Sequence, residues 1–252
     1  GSYPSHLTDI DGTLYFTATT AASGTELWKT DGTDAGTVMV KDIYTGPESS
    51  SPVYLTNVGG KLFFAANDGI NGQELWSSDG TETGTVLVKD IFAGNISSAP
   101  NNLISIGSTL IFSAYDGTSG FELWKSDGTE AGTTMVYDIN SGSGSSLPRN
   151  FTVFNNVAFF DAYTQGYGDE LWRSDGTAEG TRMADDIVPG TASSNPVPYL
   201  AQNSFLLMSA NTPDNLGREF WRYDFEPMME VRQSAIIDNG STFDFGTLPE
   251  GT

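Results

Sequence analysis

Short hydrophobic runs separated by glycine-rich turns extend along the whole chain. In one stretch, apolar-rich runs at 52–58 and 61–66 flank Gly59-Gly60, a two-residue turn of the hairpin type. The second run is almost continuously apolar, as expected of a strand buried on both faces. Two further runs follow at 74–78 and 85–91, each bounded by turn residues. The pattern predicts four antiparallel strands, and no part of it has the 3.6-residue period of a helix.

This four-strand pattern recurs five times. Its marker is Glu-Leu-Trp, at 26–28, 74–76, 122–124 and 170–172, with the variant Glu-Phe-Trp at 219–221. The tryptophans are spaced 48, 48, 48 and 49 residues apart, and they are all the tryptophans in the chain. Sheets that are apolar on both faces need a neighbour on each side, which radial stacking supplies. The sequence therefore predicts an all-β fold, a five-bladed β-propeller of four-stranded antiparallel blades. A β-helix is the main rival, although its coils are usually shorter.

The propeller is expected to occupy residues 3–233 and to form one ring around a central channel. A long loop should lead from the outer strand of each blade to the inner strand of the next. The inner strands are expected near 7–10, 55–58, 103–106, 151–154 and 199–202. Because the chain enters on an inner strand, the fifth blade must find its own outer strand, which is expected near 229–235.

The tail at 234–252 breaks the period. Its segment at 241–247, Ser-Thr-Phe-Asp-Phe-Gly-Thr, looks like the first strand of an Ig-like domain of the kind found near surface anchors in bacterial proteins. The tail is therefore interpreted as the truncated start of a following domain. A closing strand or an ordered tail is the alternative.

The extended motif Glu-Leu-Trp-x-x-Asp-Gly-Thr-x-x-Gly-Thr resembles the ELWxxDGT repeat of large bacterial secreted and cell-surface proteins. It is complete at 26–37, 74–85, 122–133 and 170–181, whereas the fifth copy keeps Glu, Trp and Asp but loses Gly-Thr. The resemblance implies an exported, multidomain parent whose repeats serve as a scaffold or a binding surface. It implies no catalytic residues.

The recurring motif residues are predicted to be structural, and each type has a functional alternative. The tryptophans are expected in the core, the alternative being a sugar-stacking platform. The aspartates suit a turn in which the carboxylate accepts backbone N–H bonds, the alternative being calcium, the one cofactor considered. The glutamates need buried hydrogen-bond partners. The set is Glu26, Trp28, Asp31, Glu74, Trp76, Asp79, Glu122, Trp124, Asp127, Glu170, Trp172, Asp175, Glu219, Trp221 and Asp224. The aspartates that follow the fourth strands, Asp42, Asp90, Asp138 and Asp186, are assigned to the same network.

Charge, hydropathy and cysteine content argue against several kinds of partner and site. The chain has 32 Asp plus Glu against 11 Lys plus Arg, a net charge of −21 at pH 7. Such a surface repels phosphate, so no nucleic-acid binding is expected. No apolar run approaches the ~20 residues that span a bilayer, so membrane insertion is not expected either. Cysteine is absent, which excludes disulfides and cysteine-based metal sites.

Catalytic constellations are not apparent. The single histidine, His6, has no partner in sequence, so serine-histidine-aspartate and histidine-metal chemistry have no support. The fourth unit is the most irregular, and its Arg149, Asp161, Tyr163, Tyr167 and Asp169 have no counterparts in the other units. It is the one place where a site is sought, with sequence drift as the alternative.

The sequence thus predicts a non-enzymatic binding or adhesion module, lectin-like in one version, from a secreted or cell-surface protein. Its partners would be a glycan or a surface protein, and the module is expected to be a monomeric domain of a larger chain. The alternatives are a propeller enzyme acting on glycans, of the sialidase or lyase kind, and a purely structural spacer.

Overall fold

A computed structural model describes residues 1–202, 204–213 and 217–225, together with the backbone of residues 234–236. Its twenty strands form five four-stranded antiparallel sheets, each built from four consecutive strands. Blade 1 contains β1 (Ser5–Ile10), β2 (Thr13–Thr20), β3 (Gly24–Thr30) and β4 (Val38–Lys41). Blade 2 contains β5 (Val53–Val58), β6 (Lys61–Asn67), β7 (Gln73–Ser78) and β8 (Val86–Lys89). Blade 3 contains β9 (Asn101–Ile106), β10 (Thr109–Tyr115), β11 (Phe121–Ser126) and β12 (Thr134–Tyr137). Blade 4 contains β13 (Arg149–Phe154), β14 (Val157–Thr164), β15 (Gly168–Ser174) and β16 (Arg182–Asp185). Blade 5 contains β17 (Val197–Gln202), β18 (Phe205–Asn211), β19 (Arg218–Asp224) and β20 (Ser234–Ile236).

The arrangement is a five-bladed β-propeller, as the sequence predicts. The first strands of successive blades, β1, β5, β9, β13 and β17, lie next to one another and are the innermost strands. The hairpins between second and third strands and the long connections between blades share one end, called here the loop end. The Asp-Gly-Thr turns and the hairpins between first and second strands share the other, called the turn end.

The inner strands agree with the prediction at their C-terminal ends and begin two residues earlier than predicted at their N-terminal ends. The predicted outer strand of the fifth blade overlaps β20, while residues 229–233 lie outside the described residues. The segment predicted to start an Ig-like domain, 241–247, also lies outside them. No helix among the described residues is long and apolar enough to cross a membrane.

Blades are held together by apolar cores between facing sheets. The core between blades 1 and 2 joins Tyr15 and Leu27 of one sheet to Leu62, Phe64 and Trp76 of the next. Equivalent cores lie between blades 2 and 3, 3 and 4, and 4 and 5. In blades 2 to 4, which have a neighbour on each side, odd- and even-numbered residues of the second strand are both buried. Both faces of these strands therefore need apolar side chains, which explains their nearly continuous apolar sequence.

A seam lies between blades 5 and 1. Each inner strand contacts the inner strand of the next blade, but within the described residues β17 and β1 make no contact of comparable extent. The four cores formed by described residues all lie between consecutive blades. As far as the described residues go, the predicted single ring is therefore continuous from blade 1 to blade 5 and interrupted between the fifth blade and the first.

Candidate functional site

The repeated glutamates are buried anchors. In blade 2, the carboxylate of Glu74 accepts hydrogen bonds from the backbone N–H of Ile91 (2.9 Å), from the backbone N–H of Ser98 (2.7 Å) and from the Ser98 hydroxyl (2.5 Å). Glu26, Glu122 and Glu170 make the same three bonds at the same spacings. Each glutamate therefore fastens the long connection that leads to the next blade.

Burial dominates the acidity of these carboxyls. Loss of hydration raises the pKa of Glu74 to about 7, while hydrogen bonds from Ser98 and Ile91 lower it and the nearby Asp90 charge raises it. Burial likewise raises the pKa of Glu122 and that of Glu170 to about 7. None of these side chains is accessible to a ligand.

The repeated tryptophans belong to the cores between blades. Trp76 is 6% exposed, and Trp124, Trp172 and Trp221 are similarly buried. Trp28 is the exception, since it is only half-buried in the first blade. The indole N–H groups of all five are buried without a hydrogen-bond partner in the structure. The rings of the four buried tryptophans therefore pack between blades, as expected of core residues.

The repeated aspartates shape their own turns. The Oδ1 atom of Asp79 accepts hydrogen bonds from the backbone N–H (2.8 Å) and the hydroxyl (2.7 Å) of Thr81. The motif's second glycine, Gly84, packs on the same carboxylate: a Cβ added there would lie 2.1 Å from Oδ1. Hydrogen bonds from Thr81 lower the pKa of Asp79. Asp31, Asp127 and Asp175 repeat this geometry.

The fifth copy keeps the tryptophan and changes the rest. Glu219 is half-buried where the other four motif glutamates are fully buried. Asp224 forms an ion pair with Arg222 (2.6 Å), whereas the other motif aspartates accept hydrogen bonds from the threonine of their turn. The structural role predicted for the motif glutamate and aspartate thus takes a different form here, because the Gly-Thr that would complete the turn is missing.

A second series of aspartates follows the fourth strands. Oδ2 of Asp90 accepts a hydrogen bond from the backbone N–H of Gly94 (3.1 Å), and Asp42 and Asp138 bind their glycines in the same way. Their Oδ1 atoms are buried without a partner in the structure. Within the described residues, no three carboxylate, histidine or cysteine side chains converge in a way that could hold a metal ion.

The irregular fourth unit does bring its charged residues together. Arg149 donates through Nε to Asp161 Oδ2 (2.7 Å) and through a terminal guanidinium nitrogen to Asp169 Oδ1 (2.8 Å). Asp161 is 1% exposed, and its Oδ1 is buried with no partner. Burial raises the pKa of Asp161 to about 7 against the opposing charge of Arg149. Asp169 also accepts a hydrogen bond from the Ser193 hydroxyl (2.9 Å).

The corresponding positions in the other blades are uncharged. Arg149 is paired across the sheet with Asp161, where blade 2 pairs Val53 with Ala65. The charged pair lies near the loop end of blade 4, and its Asp161 is on β14, the strand that also carries Tyr163. This tyrosine is partly exposed and, contrary to the prediction, it has a counterpart, because Tyr115 occupies the same position in blade 3. Tyr167 in the following hairpin is 48% exposed. We call Arg149, Asp161, Asp169, Tyr163 and Tyr167 the blade 4 cluster.

Comparisons with known proteins give a fold without a family. No family model matches this chain, and no curated protein matches it. It is similar to a mutant puromycin hydrolase complexed with PGG at 13% identity and a TM-score of 0.57, covering 88% of this chain and 36% of that one. It is similar to prolyl oligopeptidase B from Galerina marginata at 15% identity and a TM-score of 0.53, covering 90% and 32%. The β-propeller domain of the Trilobed protease from Pyrococcus furiosus is similar at 12% identity and a TM-score of 0.36, covering 95% and 85%.

The two likenesses with TM-scores above 0.5 establish the fold alone. This chain spans about a third of the length of the puromycin hydrolase and of prolyl oligopeptidase B. Propellers carry many unrelated functions, so the activities of those proteins do not transfer with the fold.

One feature of the inner strands was not predicted from sequence. The second residue of four inner strands has positive φ: His6 (53°), Tyr54 (59°), Asn102 (54°) and Asn150 (58°). Each coincides with a break in strand register, so each inner strand begins with a bulge. The backbone is the same in these four blades, and the side chain is histidine, tyrosine or asparagine. Bulges of this kind re-aim side chains, and here they place these four side chains near the loop end of the innermost strands.

The solitary histidine belongs to this bulge row. His6 is exposed, and no carboxylate among the described residues forms an ion pair with it. The sequence contains one weak indication of these bulges. Asparagine tolerates positive φ, and it occupies two of the four bulge positions.

Proposed function

We propose that this chain is a binding module of a secreted or cell-surface protein and that it binds a glycan at the loop end, beside the blade 4 cluster. The supporting observation is Arg149. Its guanidinium is about one-third exposed and is held by two carboxylates next to exposed tyrosines. Fixed polar groups beside aromatic rings suit a ligand that has both hydroxyl groups and apolar C–H faces, as sugars do.

The division of labour among residues supports the same proposal. The repeated Glu, Trp and Asp side chains are occupied by hydrogen bonds within the blade or by packing between blades. The loop end carries the residues that differ between blades, and loops on a rigid scaffold are the usual place for binding residues. The repeated residues can therefore keep their structural contacts while the variable residues at the loop end bind a ligand.

A glycan-array screen tests the proposal, run with and without calcium. Wild-type protein is expected to bind a subset of glycans. Tyr167→Ala and Arg149→Met should each reduce that binding at least tenfold, whereas Tyr137→Ala, which removes an exposed tyrosine from the outer strand of blade 3, should leave it unchanged. Binding that is equal in all variants would remove the blade 4 cluster from the proposal. No binding to any glycan would favour the structural-spacer alternative.

A second candidate function rests on Asp161. A carboxyl with a pKa of about 7 beside another carboxylate, Asp169, has the protonation range of a general acid in glycoside hydrolysis. Its burial argues for a structural role, because substrate would have to reach a side chain that is 1% exposed. Incubating the bound glycans with protein and analysing for new reducing ends decides the point. Turnover lost in Asp161→Asn would support the enzyme.

A further inference from the structure

The junctions between blades 1 and 2, 2 and 3, and 3 and 4 share the same kinds of contact. We call the face of a blade that meets the following blade its inserting face, and the face that meets the preceding blade its receiving face. In the junction of blades 1 and 2, the hydroxyl of Tyr15 lies against Gly80, where an added Cβ would be 2.2 Å from it. Phe63 lies against Gly128 in the same manner, at 3.0 Å. The glycine of the Asp-Gly-Thr turn is therefore a seat for a side chain of the preceding blade.

Lysines of the inserting face complete the junctions between blades 1 and 2, 2 and 3, and 3 and 4. Lys29 donates to the carbonyl oxygen of Gly80 (2.7 Å), and Lys41 donates to that of Thr85 (2.8 Å). Two later junctions repeat one of these bonds: Lys89 donates to Thr133 (2.8 Å), and Lys125 donates to Gly176 (3.0 Å). The receiving face thus presents a glycine seat, two carbonyl oxygens and a tryptophan.

Among the described residues, none covers the receiving face of blade 1. Gly32 occupies the position of Gly80, yet an added Cβ would meet no atom within 4 Å. Leu14, Phe16 and Trp28 are half-buried, whereas their counterparts in blades 2 to 5 are buried. Within the described part of the chain, no lysine or arginine donates to the carbonyl oxygen of Gly32.

Blade 5 has an uncovered inserting face. Phe220 is 56% exposed, while Leu171, at the same position of blade 4, is 0% exposed. Leu207 is half-buried where Phe159 of blade 4 is buried. Arg222 stands at the position from which Lys29 and Lys125 reach the next blade, and it is about 40% exposed.

We propose that the inserting face of blade 5 binds the receiving face of blade 1 in a second copy of this chain. Leu207 would lie against Gly32, Arg222 would donate to the Gly32 carbonyl oxygen, and Phe220 would be buried at the new junction. The argument is continuity: the apolar part of this interface recurs at four junctions and the glycine seat at three. Among the described residues, one half of the interface is uncovered on blade 1 and the other half on blade 5. The contact is heterologous, so copies associate head to tail. This inference does not depend on glycan binding.

The test is the mass in solution of the purified chain, by sedimentation velocity from about 1 μM to about 0.5 mM. The weight-average mass should rise with concentration above the monomer value of 26.9 kDa. It should rise further in ~1 M salt than in ~0.15 M salt, because two copies of charge −21 repel each other at low salt. A constant monomer mass at every concentration and salt would overturn the proposal, including the case in which one chain closes on itself.

Two blocking variants make the test specific. Gly32→Asn fills the receiving seat, and Phe220→Asp places a charge on the inserting face. Each variant alone should remain monomeric, but an equimolar mixture should form dimers and nothing larger, because each copy keeps one functional face. Two variants are matched controls. Gly94→Asn changes another glycine of positive φ at which an added Cβ would meet no atom within 4 Å, and Ile70→Asp changes another exposed apolar residue. Both controls should associate like wild type. Association of either blocking variant alone, or a mixture that stays monomeric, would contradict the proposal.

Discussion

Ser98 donates both its backbone N–H (2.7 Å) and its hydroxyl (2.5 Å) to the carboxylate of Glu74, which lies 24 residues earlier in the chain. The pair connects the third strand of blade 2 to the loop that enters blade 3. The same latch occurs in the first four blades. It explains why each motif glutamate can be fully buried in a chain with so few positive charges.

Removing the latch hydroxyl should destabilise the protein. Ser98→Ala leaves a buried carboxylate short of one donor, and the expected loss is about 1–3 kcal/mol in the free energy of unfolding. Urea denaturation followed by tryptophan fluorescence measures it. Ser108→Ala, at an exposed serine, is the control and should have a midpoint close to wild type. Equal midpoints for the two variants would show that the latch contributes little.

Stability should depend on pH in a definite direction. The pKa values of Glu74, Glu122 and Glu170 are raised to about 7 in the folded protein, from 4.5 for an ordinary glutamate. The folded state therefore binds these protons more tightly than the unfolded chain does. The stabilisation is fully present below about pH 4.5 and is lost as the pH rises to about 7. The urea midpoint should be lower at pH 8 than at pH 5.

Glu74→Gln separates this effect from general charge repulsion. The variant cannot ionise at that site, so its midpoint should change less between pH 5 and pH 8 than the wild-type midpoint. Glu82→Gln removes an exposed glutamate and is the matched control. An identical pH dependence in both variants would assign the whole effect to the net charge of −21.

Tryptophans at different positions of the repeat should differ in their importance for folding. Trp76→Ala removes a ring buried between two blades and should cost ~3–5 kcal/mol. Trp28→Ala removes a half-buried ring from the uncovered face of blade 1 and should cost about half as much. Urea midpoints of the two variants at low protein concentration, where copies are apart, give the comparison. Equal losses would mean that Trp28 is covered in solution.

The Asp-Gly-Thr turn offers a double-mutant test. Gly84→Ala places a methyl group against the Asp79 carboxylate and should destabilise the protein by about 1–3 kcal/mol. In the background of Asp79→Ala, the same glycine change should cost much less, because its steric partner is gone. Additive losses in the double mutant would show that the glycine is needed for another reason.

Calcium remains a hypothesis for the same aspartates, and a melting curve decides it. Asp79 already uses one oxygen for its turn, and each turn supplies a single carboxylate. We therefore expect the melting temperature in about 5 mM calcium to equal that in chelator, although this concentration exceeds the typical Kd of extracellular sites. A higher melting temperature in calcium that disappears in Asp79→Asn would establish a site.

Much of the fold could be predicted from the sequence because the repeat is regular and its period is long. The Trp76 spacing defines one blade, the Gly59-Gly60 turn defines its first hairpin, and the apolar run between 61 and 66 shows that the sheet is covered on both faces. The structural role of Glu74 also follows from burial chemistry. These inferences rest on local patterns that each blade repeats.

Other features depend on relations that one repeat does not contain. The positive φ of Tyr54 and Asn102 belongs to the bulge that begins each of these inner strands, and neither residue type predicts such a bulge. The convergence of Arg149 with Asp169 joins residues on two strands of an irregular unit, so sequence could mark the unit but not the geometry. The seam depends on the angle between blades, which no motif specifies.

The uniformity of the junctions has an evolutionary consequence. Because the junctions among blades 1 to 4 share the same kinds of contact, a gene that gains or loses one 48-residue unit would join faces of the same kind and would create no new type of interface. The number of blades is then limited by the curvature of the ring. The sequences of the units stay similar because each unit must pack against the blade before it and the blade after it. Duplication within such a gene would be nearly neutral for folding, so related chains should differ in repeat number more readily than in the Glu, Trp and Asp of the repeat itself.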